Sequence, residues 1–180
     1  MSEGFWVFGY GSLMWNPGFD WVERRVARLS DYRRAFALAS VRYRGTRESP
    51  GLVLGLDWRP GESCTGIAFR VCPTRDRDVR DYLHHREMVT RSYMEVIHPV
   101  TLEGAAEVEA LAYVLDRTHP QYSGGLDLEA QARIIAAAEG QAGPNADYLH
   151  NTVLHLEEIG LHDPELAELD RLVRALRKGR

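Results

Sequence analysis

Phe5-Trp6-Val7-Phe8-Gly9-Tyr10-Gly11-Ser12-Leu13 decides how this chain begins to fold. Phe5 to Gly9 is an apolar run with Trp and Val, the composition of a strand, and it stops at two glycines and a hydroxyl. Glycine lets a ligand or another backbone approach closely. Gly9 to Ser12 is therefore expected to be a loop whose own N–H groups can grip a polar group; a tight hairpin turn is the plain alternative. Three familiar glycine motifs are excluded by the residues present. A phosphate-binding P-loop needs a lysine that does not follow Gly11, and the dinucleotide fingerprint needs a third glycine where Met14 stands. A hydrolase nucleophile elbow would need glycine at both Tyr10 and Met14. The chain continues instead through Trp15-Asn16-Pro17-Gly18, a turn-like stretch rather than a helix.

Outward from that loop, the first two-thirds reads as extended. Glu23 to Ser40 is expected to form two strands or one long bent strand. Arg42 to Gly51 is a polar loop ending in the breaker Ser49-Pro50-Gly51. Leu52 to Leu56 and Thr65 to Val71 are predicted strands with Arg59-Pro60-Gly61 as the turn between them. Pro73-Thr74 predicts a helix start with Thr74 as N-cap and Asp76 and Asp78 in the first turn, running to about Glu87. Tyr93 to Pro99 and Glu107 to Leu115 are further strands, joined through Leu102-Glu103-Gly104. Beyond Pro120 the spacing becomes helical over Leu126 to Glu139, Asn145 to Ile159 and Pro164 to Arg177. Without βαβ alternation, linkers or repeats, the expected fold is one α+β domain over residues 1–180. Its sheet is expected to be small, antiparallel or mixed, and either open or closed into a barrel.

Bulk properties exclude several classes. A chain of 180 residues can bury a core of its own. Its formal charge of −4 gives no electrostatic case for nucleic acid. The start of the chain has neither the basic segment nor the apolar run of a secretory signal, and no stretch approaches the ~18 apolar residues of a membrane helix. Cys64 and Cys72 flank a predicted strand and would lie roughly 26 Å apart along it, beyond disulfide reach. Two free, buried thiols suit a reducing cytoplasm. Neighbouring residues on a helix point about 100° apart, so His84 and His85 do not converge on one ion, and no other histidine pair has ligand spacing. No metal site is expected.

On the helix that ends near Glu87, Val79, Leu83 and Glu87 are spaced i, i+4, i+8 and share one stripe. The two apolar members mark that stripe as core-facing, so the carboxylate is expected to point inward. It also sits at the negative end of the helix dipole. Both effects disfavour the ionised form and raise its pKa towards the range useful for general acid–base work. The alternative is a surface ion pair with Arg86 or Arg91. Tyr93, Tyr122 and Tyr148 are open to two readings, as pocket-lining phenols or as core residues.

The segments Phe8-Gly9-Tyr10-Gly11-Ser12-Leu13-Met14-Trp15, Tyr82-Leu83-His84-His85-Arg86-Glu87 and Gly143-Pro144-Asn145-Ala146-Asp147-Tyr148-Leu149 occur in this order. Together with Pro50-Gly51-Leu52-Val53-Leu54, Gly66-Ile67-Ala68-Phe69-Arg70 and Tyr122-Ser123-Gly124-Gly125, they resemble the ChaC-like glutathione-specific γ-glutamylcyclotransferases. The likeness runs from about residue 5 to 175. It implies a small β-barrel flanked by helices and the conversion of glutathione to 5-oxoproline and cysteinylglycine without a cofactor. It further implies Glu87 as the acid–base residue, Phe8, Gly9, Tyr10, Gly11, Ser12 and Leu13 as the substrate-gripping loop, and Tyr148 facing the site. Animal members commonly carry arginine where this chain has Leu52, so no substrate contact is carried over to that position. The other readings are a cyclotransferase for different γ-glutamyl amines or dipeptides, and a non-catalytic metabolite-binding module.

Overall fold

In the computed structural model, which describes residues 4–88 and 91–179, the N-terminal apolar run forms β1 (Trp6–Gly9), followed by a 3₁₀ turn at Ser12–Met14. The extended region holds β2 (Glu23–Ser40) and β3 (Gly51–Arg70). A 3₁₀ turn at Pro73–Arg75 leads into α1 (Asp76–Glu87), then β4 (Tyr93–Leu102) and β5 (Glu107–Leu115). The C-terminal third contains α2 (Leu128–Ala137), the two-residue strands β6 (Glu139–Gly140) and β7 (Gly143–Pro144), α3 (Asn145–Glu158) and α4 (Pro164–Lys178). The five longer strands close into a barrel in the order β1-β3-β2-β4-β5. β1 runs antiparallel to β3, with Phe8 opposite Ala68. It runs parallel to β5, with Val7 opposite Leu111, so the barrel is mixed. The expected α+β class, a small barrel with helices, is what the chain adopts.

The chain divides into two compact units, one built from residues up to Arg34 with Leu56–Asp116, the other from Ala35–Gly55 with residues from Arg117 onward. In the first, Val7, Leu13, Val71, Val79, Leu83, Leu111 and Tyr113 form a buried cluster. The cluster draws on β1, the loop after it, α1 and β5, so the apolar stripe of α1 is tied to the strand that ends in the glycine loop. In the second, α2, α3 and α4 pack on one another, and Ile135, Leu149, Leu156 and Leu169 on them are each at most 2% exposed. Each such side chain contributes about 1.5–3 kcal/mol by leaving water.

Several boundaries differ from the sequence reading. Glu23–Ser40 is one strand, bent where Asp31 takes φ 63°, a conformation that Asp tolerates better than most residues. Arg59-Pro60-Gly61 does not end a strand: β3 runs through it for 20 residues. Gly61 absorbs the kink with φ 85°, and its N–H donates to Asp31 Oδ1 at 2.8 Å. The breaker signal is satisfied by a bend in both strands at the same level. Thr74 is not an N-cap, because the Pro73–Arg75 turn precedes α1 and Arg75 stands at its start without a side-chain cap. The Thr74 hydroxyl lies 3.2 Å from Cys72 Sγ instead. Cys64 is buried as expected, whereas Cys72 is partly exposed; both are free thiols. Cys72 falls beyond the end of β3.

α2 starts at Leu128 because the Asp127 side chain accepts from Ala130 N at 2.7 Å. It ends before Glu139, which pairs with Pro144 in the small β6–β7 ladder. Among the described residues, no helix is long and apolar enough to cross a membrane.

Candidate functional site

β3 comes so close behind the end of β1 that a Cβ on Gly66 would land on the carbonyl oxygen of Gly9 and the ring of Phe8. The chain then turns at Gly11 into the Ser12–Met14 turn, where Met14 N donates to Gly11 O at 2.9 Å and Asn16 N to Ser12 O at 2.8 Å. The first N–H groups of a helical turn have no partner within it. Among the described residues, no hydrogen-bond acceptor takes the N–H of Gly11, Ser12 or Leu13. Phe8 is fully buried, Tyr10 is 8% exposed and Leu13 6% exposed, so these side chains anchor the loop from inside. What the loop presents to a ligand is backbone, together with the exposed hydroxyl of Ser12.

Two arginines hold this loop by its oxygens. Arg34 of β2, only 6% exposed, donates from Nε to Tyr10 O at 2.6 Å and from Nη2 to Thr65 O at 2.7 Å. Arg86 of α1 donates from Nη1 to Asn16 O at 2.8 Å, to Pro17 O at 3.1 Å and to the Tyr82 hydroxyl at 3.0 Å. Its Nη2 donates to Ser12 Oγ at 3.0 Å.

Glu87 is brought to the same place. Val79 and Leu83 are buried at 3% and 0% exposure, which confirms the stripe read on α1, and the Glu87 side chain is 19% exposed. Its carboxyl lies 3.2 Å from Arg86 Nε, so the ion-pair alternative is right about the partner and wrong about the surface. Burial pushes the Glu87 carboxyl above the usual carboxylate range, and the Arg86 guanidinium opposes that rise without cancelling it. From β5, the buried Tyr113 hydroxyl donates to Glu95 Oε2 at 3.1 Å. Burial, followed by the charges of Glu95 and Glu87, holds its phenol far above the ordinary range. Tyr113 is thus a neutral donor near Glu87.

Tyr148 lies in the second unit. Its ring meets Phe36 edge-on at 5.5 Å and sits 5.2 Å from the Arg44 guanidinium, with Arg44 Nη1 also donating to Ala142 O at 2.6 Å. At the start of α3, the fully buried Asn145 accepts from Leu52 N and donates to Leu52 O, both at 2.7 Å. The position that lacks an arginine therefore has its main chain gripped by a neighbouring amide.

His84 Nδ1 is 3.8 Å from Glu95, and His85 Nδ1 lies 2.6 Å from Asp81 O on its own helix. No group of His, Cys, Asp and Glu among the described residues is arranged to hold a metal. A cavity of about 470 Å³ is lined by Gly18, Phe19, Asp20, Arg75, Asp78, Val79 and Tyr82; neither Glu87 nor residues 8–13 line it. Sequence reading missed Arg34, Arg86 and Asn145 as supports. The one available signal for Arg34 was a charged residue directly before the apolar run Ala35 to Leu38.

The sequence profile of the ChaC-like protein family matches residues 5–176. The glutathione-specific γ-glutamylcyclotransferase of Escherichia coli (strain K12) is 35% identical over 164 residues, covering 91% of this chain and 70% of that protein. The glutathione-specific γ-glutamylcyclotransferase of Schizosaccharomyces pombe is 33% identical over 188 residues, covering 94% and 92%. Among solved structures, a γ-glutamyl cyclotransferase specific to glutathione from yeast superposes with a TM-score of 0.85 at 22% identity, over 99% of both chains. That likeness is one of fold.

Proposed function

This chain belongs to the ChaC-like protein family, and we propose that it is a glutathione-specific γ-glutamylcyclotransferase that converts glutathione to 5-oxoproline and cysteinylglycine. The observation that carries this reading is the inward carboxyl of Glu87, its pKa raised by burial, held beside a loop with three unclaimed N–H groups. The relatives from bacteria and yeast that carry this activity in their names support it.

The nucleophile is the substrate's own α-amine, which attacks the γ-carbonyl and closes a five-membered ring. The C–N bond to the cysteine nitrogen then breaks. An α-ammonium carries three hydrogens and the lactam nitrogen keeps one, so two protons leave the attacking nitrogen. The amide nitrogen has one hydrogen and the released ammonium three, so two arrive there. Glu87 carries them one at a time, as base and then as acid, which a carboxyl with raised pKa does well. The N–H groups of Gly11, Ser12 and Leu13 are the donors for the tetrahedral oxyanion. Holding the amine against the carbonyl supplies much of the acceleration, since well-oriented intramolecular reactions gain ~7–11 kcal/mol.

Gly11 and Ser12 meet the substrate directly, with the buried Phe8, Gly9, Tyr10 and Leu13 contributing through backbone. Tyr148 is a further substrate contact on the strength of the resemblance. The chain acts as a single domain in the cytoplasm, with glutathione as its partner and neither nucleic acid nor membrane required.

Incubation with glutathione tests this reading, with 5-oxoproline and cysteinylglycine as the measured products. Glu87→Gln should keep the fold and lose about 10²–10⁴-fold in turnover; near-wild-type turnover would end the assignment of Glu87. Indifference to glutathione with turnover of γ-glutamyl-alanine would move the substrate class. Saturable binding without product would leave only a binding module.

A further inference from the structure

We infer that Arg86 is a positioning residue, which clamps the glycine loop onto α1 and orients the Glu87 carboxyl against it, rather than a mere counter-ion. This inference rests on the cyclotransferase reading above. A guanidinium acting only as a counter-ion typically meets a carboxylate through its fork, with two parallel N–H···O contacts of about 2.7–2.9 Å. Arg86 approaches Glu87 through Nε at 3.2 Å, while Nη1 and Nη2 are both spent on Ser12, Asn16, Pro17 and Tyr82. Most of its donors therefore serve the loop.

The planar fork sets all of these partners at fixed angles to one another. Moving the loop would move the same rigid group that touches the carboxyl. Lysine carries its charge at one point and cannot span Ser12, Asn16 and Glu87 together. Ser12 Oγ accepts from Arg86, which leaves the Ser12 O–H as a donor for an oxygen of the bound γ-glutamyl group. Arg34 secures the inner side of the loop through Tyr10 O, and Arg86 secures the outer side. Both arginines take oxygens, so neither competes for the N–H groups of Gly11 to Leu13.

Charge enters separately. The groups around Glu87 are Arg86 on its own helix, Tyr113 from β5 and, beyond the Tyr113 hydroxyl, Glu95 of β4; Tyr93 of β4 packs on the same core cluster. Arg86 is the cation that opposes the effect of burial on the carboxyl.

Arg86→Met removes both charge and clamp, and Arg86→Lys removes the clamp alone. In Arg86→Met, kcat/KM for glutathione should fall about 10²-fold, the loss expected from misplacing a group by an ångström, and the acid limb of its pH profile should move to higher pH. Arg86→Lys should return that limb to the wild-type position while leaving most of the rate loss in place. Ser12→Ala, which breaks one arm of the clamp, should raise KM without moving the limb. Recovery of kcat/KM to within about twofold by lysine would overturn the inference, since a counter-ion needs only charge. A second readout needs no turnover. Amide hydrogen exchange of residues 10–17 in the intact protein should speed up in Arg86→Lys, and unchanged exchange would also overturn it. If wild-type protein fails to cleave glutathione, the functional reading falls while the exchange result still judges the clamp.

Discussion

The glycine loop after β1 and the corner Gly143-Pro144-Asn145 before α3 are both glycine-bearing turns tied to residues distant in sequence, and they are tied differently. At the loop, the guanidinium groups of Arg34 and Arg86 take up backbone oxygens and the Ser12 hydroxyl, and among the described residues nothing takes the N–H groups of Gly11 to Leu13. At the corner, Arg44 likewise takes backbone oxygens, of Ala142 and Pro144, but the Asn145 amide both accepts from and donates to Leu52, and the Asn145 N–H is taken by Ala138 O. A cation can only donate and an amide does both. A turn held by cations alone keeps its N–H groups as a donor surface, whereas one that adds an amide closes onto its neighbour.

The largest way to break that contrast is Arg34→Met. Two backbone carbonyls, Tyr10 O and Thr65 O, lose donors from a charged group, and bonds of this kind are worth about 1.5–3 kcal/mol each. A loss of about 3–6 kcal/mol is expected, read from the urea midpoint at unchanged slope; a loss below about 1 kcal/mol would show that the loop does not depend on being held by its oxygens. Asn145→Ala should cost somewhat less, about 2–5 kcal/mol, from leaving a buried N–H and a buried C=O of Leu52 unpaired. A loss below about 1 kcal/mol would contradict the pairing.

Smaller effects come from the close backbone approaches beside each turn. A Cβ on Gly66 would collide with Gly9 O, and one on Gly51 with Arg44 O and Asn145 Oδ1. Overpacking of this kind costs about 1–3 kcal/mol, so both alanine variants should melt earlier. Only the Gly66 variant should change amide exchange at residues 10–17.

The smallest effect has the opposite sign. Burial raises the Glu87 pKa, so the folded state binds this proton more readily than the unfolded chain does. The associated stability is fully present below the ordinary carboxylate range and is lost as pH rises through the raised value. Glu87→Gln does not titrate. Its melting temperature should therefore match wild type in acid and exceed it increasingly at higher pH. A variant less stable than wild type at pH 8 would mean that the carboxylate is not paying a burial penalty.

Much of this was legible in the residues. The apolar run into Gly9, the stripe Val79-Leu83-Glu87 and the change to helical spacing beyond Pro120 each appear in local order, and each is found in the fold. Two local signals point elsewhere than the fold goes. Arg59-Pro60-Gly61 and Thr74 carry strong local signals, yet β3 runs through the first and a 3₁₀ turn displaces the second. At Gly61 a partner 30 positions away, Asp31, takes up the N–H, whereas at Thr74 the hydroxyl goes to Cys72, two residues back.

Periodicity and breaker residues, which act over a few positions, determined most of the element types and the inward face of Glu87, and the family resemblance implied the barrel with its helices. Tertiary structure decided what holds the site: Arg34 reaches Thr65 across 31 positions, Arg86 reaches Ser12 across 74 and Asn145 reaches Leu52 across 93. Hydrogen bonds act over about 3 Å whatever the separation along the chain. Only the closure of the fold could say which oxygen each of those side chains would find.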